Sequence, residues 1–154
     1  MIAQRQILRS KYQTGRKMYD LVNKTAQDLK GIYFAGKPIS EIALYDYFRI
    51  IRSIPYRRDP RPREILARPA HLIKYRRNGL DCKKKAILMA AYAKMNNIKY
   101  RFIASSRRAD KKIHHVYPEI QINNRMIDTD ATYPTNEINM KRRATKKIVL
   151  PGGI

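Results

Sequence analysis

Residues 78–97 read NGLDCKKKAILMAAYAKMNN, and this stretch holds the only cysteine of the chain. Asn78 and Gly79 are turn formers, Asp81 is a good N-cap, and Ala86, Leu88, Met89, Ala90, Ala93 and Met95 favour a helix. A helix is therefore predicted to begin at or beside Cys82. A thiol at that position lies in the positive end of the helix dipole, which favours thiolate over thiol. Lys83, Lys84 and Lys85 follow at once and push the same way. In an exposed first turn each would oppose the dipole at a cost of ~0.3–1 kcal/mol, and such locally unfavourable choices gather at functional sites. The competing reading of a lone cysteine is a small buried hydrophobe.

Upstream, residues 2–30 place Ile7, Leu8, Tyr12, Met18, Tyr19, Val22 and Leu29 at roughly helical spacing among basic residues. Gly15 is a weak point and Gly31 a stop, so a basic helical arm is expected over about residues 1–31. Such a helix either packs its apolar face on its own domain or lies on nucleic acid or membrane. Residues 40–56, SEIALYDYFRIIRSIPY, predict a cleaner helix with Ser40 as N-cap, Tyr45, Phe48 and Ile51 facing the core, and Pro55 as terminator. Pro60, Pro62 and Pro69 then forbid a long helix and leave at most one helical turn around residues 64–67. This charged segment runs into Cys82 and is expected to wall the groove there.

Downstream the period changes from helical to alternating. IKYRFIASS (98–106), IHHVYPEIQI (113–122) and RMIDTDATY (125–133) read as strands, the last two joined in a hairpin at Asn123 and Asn124. Alternation sets His115, Tyr117 and Glu119 on one face and His114, Val116 and Pro118 on the other, with Pro118 suggesting an edge or a bulge. Residues 136–154 form a basic extension with a short strand at Ile148, Val149 and Leu150. A cysteine nucleophile needs an imidazole for its proton, and the imidazole needs a carboxylate to hold its tautomer. The hairpin brings His115 near Asp130 or Asp128, which supplies both. The plain alternative leaves His71, His114 and His115 as ordinary histidines and Asp130 as a turn cap at Thr132.

At 154 residues and 44% hydrophobic, the chain is expected to form one domain with a core of its own. No apolar run is long enough to span a membrane, and the N-terminus lacks the apolar segment of a secretory signal. A cytoplasmic location is expected, or a virion for a phage-encoded chain. One cysteine excludes an internal disulfide, and together with scattered histidines it forms no zinc pattern, so neither metal nor cofactor is expected. The 34 basic and 12 acidic residues leave a net charge of +22, which points to binding of nucleic acid or another polyanion.

The succession G-x-D-C at the start of a helix, then strands, then H-V-Y, then D-A-T-Y resembles the transglutaminase-like superfamily of papain-type cysteine enzymes, in its small bacterial and bacteriophage form. The resemblance spans about residues 39–134 and leaves both basic ends outside it. It implies an α+β fold with N-terminal helices, a central helix starting at the nucleophile and a small antiparallel sheet. It also implies Cys82 as nucleophile, His115 as base and Asp130 as orienting acid, with Asp128 competing for the third place. The activity implied is hydrolysis of a protein or peptide amide, or amine transfer, through a thioester. Relatives commonly carry acidic residues after the cysteine where this chain has three lysines. With no Trp in the chain, Tyr75 or Tyr117 would replace the aromatic that lines the acyl groove in larger relatives. A reading of another class is a highly basic nucleic-acid-associated or virion structural protein that keeps the fold with little or no turnover.

Overall fold

The computed structural model describes residues 3–6, 11–59, 64–140 and 143–152. The helix beginning at the cysteine, α4 (Cys82–Met95), runs through the middle of the core. Ala86 to Ala91 and Ala93 are nearly or completely out of solvent, as expected for a helix apolar on every side. Its first turn is capped as the sequence predicts, Lys84 N–H donating to the Asp81 carboxylate at 3.0 Å. Gly79 supplies the preceding bend at φ +87°. A Cβ there would lie 2.7 Å from Arg57 Cβ, so only glycine fits without a shift.

On one side of α4 lies a curled antiparallel sheet. Strands β5 (Tyr100–Ser106), β6 (His115–Ile122), β7 (Arg125–Asp128) and β8 (Lys146–Val149) are arranged in the order β7-β6-β5-β8. Tyr100, Phe102, Ala104, Val116 and Ile120 join the core with α4. Ser105 pairs with both His115 and Lys147, while Ile103 pairs with Tyr117 and Val149, so these residues share the opposite face. Asn123 and Asn124, at φ +52° and +63°, close the hairpin as a two-residue turn with both φ positive. The third strand is shorter than its sequence suggests and stops at Asp128. Pro118 sits in an interior strand, not an edge one. Its carbonyl accepts from Thr129 N–H and Oγ1, both at 3.0 Å, just past the end of β7. The missing N–H faces the same way and interrupts no ladder bond.

On the other side pack α1 (Lys11–Thr25), continued by a 3₁₀ turn at Ala26–Gly31, and α2 (Leu44–Ser53). A tight β2–β3 hairpin (Tyr33–Phe34 and Lys37–Pro38) links them, and α3 (Pro69–Lys74) follows further along. Several expectations are corrected here. Residues 3–6 form a strand, β1, paired antiparallel with β4 (Glu64–Ala67), where a helical arm and a helical turn were expected. Helix α2 starts at Leu44, with Ala43 and not Ser40 at its N-cap. Tyr45 is 61% exposed, and Tyr47 takes the core position with its hydroxyl donating to Leu88 O at 2.7 Å. A stripe at 44, 47, 48 and 51 follows the 3.6-residue period, whereas one at 42, 45, 48 and 51 drifts off it.

Among the described residues, both basic ends contribute to the core. Met18, Tyr19 and Val22 of α1 are core residues. Strand β8 adds to the sheet, and Leu150 behind it packs on Gly15, where a Cβ would come within 2.9 Å of its Cδ1. The glycine that weakens the helix in sequence is thus the gap into which the far end of the chain fits.

Candidate functional site

Cys82 stands at the first residue of α4, 7% exposed and unoxidised. Its side chain lies beside the imidazole of His115 at the start of β6, close enough to raise the pKa of the ring. The ring's Nε2 lies 2.6 Å from Asp130 Oδ2, which leaves Nδ1 as the nitrogen for the sulfur. Asp130 comes from the loop after β7. Its second oxygen accepts from Thr132 N–H at 3.1 Å and Thr132 Oγ1 at 2.6 Å, and Asn136 Nδ2 donates to its carbonyl at 3.1 Å. The turn cap and the histidine partner, alternatives in sequence, are one carboxylate with two oxygens in separate use.

Asp128 is engaged elsewhere. It lies opposite Glu119 in the β6–β7 register. Burial first, then the hydrogen bond with Glu119, pushes its carboxyl up to about 6. His71 lies against Tyr75 with the two rings tilted by 50°, and His114 Nε2 accepts the Arg107 N–H at 3.0 Å, holding the β5–β6 loop. Neither joins Cys82. Tyr75 lies with His71 and Lys74, away from the aromatic group at the site. Tyr117 and Tyr133 stack near His115 at 5.8 and 5.9 Å, and Tyr56 reaches Tyr133 at 5.8 Å.

Electrostatics set the protonation of the pair. Burial would lower the pKa of His115, but the Asp130 hydrogen bond, then the Cys82 hydrogen bond and their charges, raise it to about 9. Burial likewise opposes ionisation of Asp130, and the His115 hydrogen bond and charge, with both Thr132 donors, hold it below the ordinary carboxylate range. Imidazolium and carboxylate are therefore the neutral-pH forms.

The three lysines after the cysteine are not an exposed cationic run. Lys83 pairs with Asp81 at 3.3 Å, and Lys84 pairs closely with Asp59. Asp59 also accepts the Ile65 N–H at 2.9 Å, tying the proline-rich segment to the first turn of α4. Residues 60–63 of the expected groove wall lie outside the described residues. Lys85 is 1% exposed, its Nζ donating to the carbonyls of Ile54 (2.6 Å), Thr132 (3.1 Å) and Arg52 (3.3 Å). It joins the end of α2 to the loop bearing Asp130. Nothing in the sequence distinguishes Lys85 from its neighbours except its place three residues on from Cys82, one turn along α4. Burial lowers its pKa to about 8.

These two shifts predict how stability responds to pH. His115 binds its proton more tightly folded than unfolded, so its contribution is complete below pH 6.5 and is lost as pH rises through about 9. Lys85 binds its proton less tightly folded, so its contribution rises with pH between about 8 and 10.5. Urea unfolding should show stability falling from pH 6.5 towards 8 and flattening beyond. His115→Gln should remove the fall.

Among the described residues no helix is long and apolar enough to cross a membrane, and no group of three side chains is placed to hold a metal ion. The family model described as the transglutaminase-like superfamily matches residues 36–131. No curated protein matches the chain. A crystal structure of a candidate cysteine protease from Cytophaga hutchinsonii aligns with a TM-score of 0.48 and 16% sequence identity, covering 93% of this chain and 53% of that one. The chain thus spans about half the length of that protein.

Proposed function

Because this chain belongs to the transglutaminase-like superfamily, we propose that it is a cysteine hydrolase of the protease or amidase type, with Cys82 as nucleophile, His115 as acid and base, and Asp130 as the residue that orients His115. The observation that carries this reading is that the His115 imidazole meets both the Cys82 side chain and the Asp130 carboxylate, which lies 2.6 Å from its Nε2. Cys82 sulfur attacks an amide carbonyl, a C–S bond forms, and the C–N bond breaks as His115 gives its proton to the departing amine. Water then attacks the thioester while His115 takes a proton from it, and the acid leaves as the thiol is restored. The N–H of Cys82 is one of the amides that a helix start leaves without an intrahelical acceptor. It is the natural donor to the developing oxyanion, a role worth ~3–4 kcal/mol per donor in other enzymes.

The test is hydroxylamine trapping with a mixture of protein-derived peptides, read by mass spectrometry. Hydroxamates should form with the unmutated protein, vanish with Cys82→Ala and fall by ~10²–10⁴ with Asp130→Asn. Products that persist with Cys82→Ala would remove the reading. A basic nucleic-acid-associated or virion protein with little turnover is the second reading, favoured by the net charge of +22. It requires oligonucleotide binding that survives Cys82→Ala and weakens steeply with salt.

A further inference from the structure

On the sheet face away from α4, a small cleft opens against His115 and Asp130. Cys82 is not among the residues that line it. Three cations reach it from separate parts of the chain: Arg107 from the β5–β6 loop, Arg143 from the segment before β8, and Lys147 from β8 itself. All three are exposed. Among the described residues none of them forms an ion pair, although Lys147 Nζ lies 5.9 Å from the Tyr117 ring centroid.

The carboxylates of the same cleft are already engaged. Asp130 holds His115 and Thr132, Asp128 hydrogen-bonds Glu119, and Glu137 pairs with Arg52 at 3.0 Å. Lys147 also acts on Asp128 by its charge, and all three cations converge on one small concavity. Three cations at one point suit a single anionic group, whereas a phosphodiester chain needs cations repeated along a groove.

We infer that this cleft is a recognition subsite for a carboxylate of the peptide substrate, held by Arg107, Arg143 and Lys147 beside the His115–Asp130 pair. The inference rests on the hydrolase reading for the word substrate, but the binding it describes needs no thiol. The carboxylate comes from an acidic side chain near the scissile amide or from the C-terminus of the peptide.

The experiment uses the full-length Cys82→Ala protein, which binds without turnover, and labelled short peptides that differ only in one Glu against Gln, each with a free or an amidated C-terminus. Fluorescence anisotropy should show the favoured carboxylate form binding about tenfold tighter than its neutral match. Discrimination between Glu and Gln assigns the side chain, and discrimination between free and amidated ends assigns the terminus. Either preference should be lost on adding Arg143→Ala with Lys147→Ala, both surface changes, and kept with Lys30→Ala on the N-terminal 3₁₀ turn. Equal binding of all four peptides, or equal loss with Lys30→Ala, overturns the inference. An oligonucleotide of the same charge that displaces the peptide at lower concentration than the peptide itself overturns it in favour of nucleic acid. Hydroxamate trapping that fails while the carboxylate preference stands removes the hydrolase and leaves the subsite.

Discussion

Replacing His115 by alanine is expected to slow alkylation of Cys82 by iodoacetamide at pH 6.5 by about ten- to a hundredfold. The reagent reacts with thiolate, and an unassisted thiol is only ~1% ionised at that pH. In the folded protein the imidazole beside the sulfur keeps its proton up to about pH 9, because Asp130 stands 2.6 Å from its far nitrogen. A cation beside the sulfur therefore accompanies it throughout the neutral range. The difference between the two proteins should narrow above pH 9, where the imidazole becomes neutral, and Asp130→Asn should lie between them. Equal rates at pH 6.5, followed by mass spectrometry of the Cys82 peptide, would mean that the imidazole does not assist the thiol. The nucleophile assignment would fall with it.

Lys85→Met is expected to destabilise the fold by about 2–5 kcal/mol, since it leaves well-buried carbonyls without a donor. The midpoint of thermal unfolding should fall by roughly 5–15 °C for a chain of this size. Ile54 O and Thr132 O lose bonds of 2.6 and 3.1 Å, and the shorter hydrophobic side chain returns nothing to them. Lys85→Gln, which keeps one donor group, should lose less. Because Thr132 also holds Asp130, the Met variant should lower hydroxamate formation at temperatures where it remains folded. A change in stability within ~0.5 kcal/mol, the range of an ordinary surface substitution, would show that the buried ammonium is not needed by those carbonyls.

The readings that were legible in the sequence are local ones. Asp81 as cap, the helix from Cys82 to Met95 and the Asn123–Asn124 turn depend on residues within a few positions of one another, where propensity and capping act directly. Of the three motifs that resemble the superfamily, G-x-D-C and H-V-Y lie inside the region that its family model matches, and D-A-T-Y begins there with Asp130 and Ala131. The hairpin also places His115 and Asp130 near one another. The contact itself comes from the loop beyond β7, with Thr129 bonded back to Pro118 and Thr132 bonded to the carboxylate.

What the tertiary structure alone decided depends on residues far apart in the chain. Residues 64–67 are a strand because residues 3–6 pair with them, and no local preference reports a partner some sixty positions away. Lys83, Lys84 and Lys85 are identical in sequence, yet one meets Asp81, one meets Asp59 and one is sealed among carbonyls from α2 and the Asp130 loop. Which face of the helix each occupies follows from the angular step of the α-helix, but what waits on that face is set by packing. Strand β8 lies along β5 and carries Lys147 into the same cross-strand row as Ser105 and His115. The basic tail, a basic extension with a short strand when read alone, thereby brings its charge beside the histidine. Sequence determined the Cys82 helix and its cap through short-range hydrogen bonding, and long-range pairing decided which charges surround the cysteine.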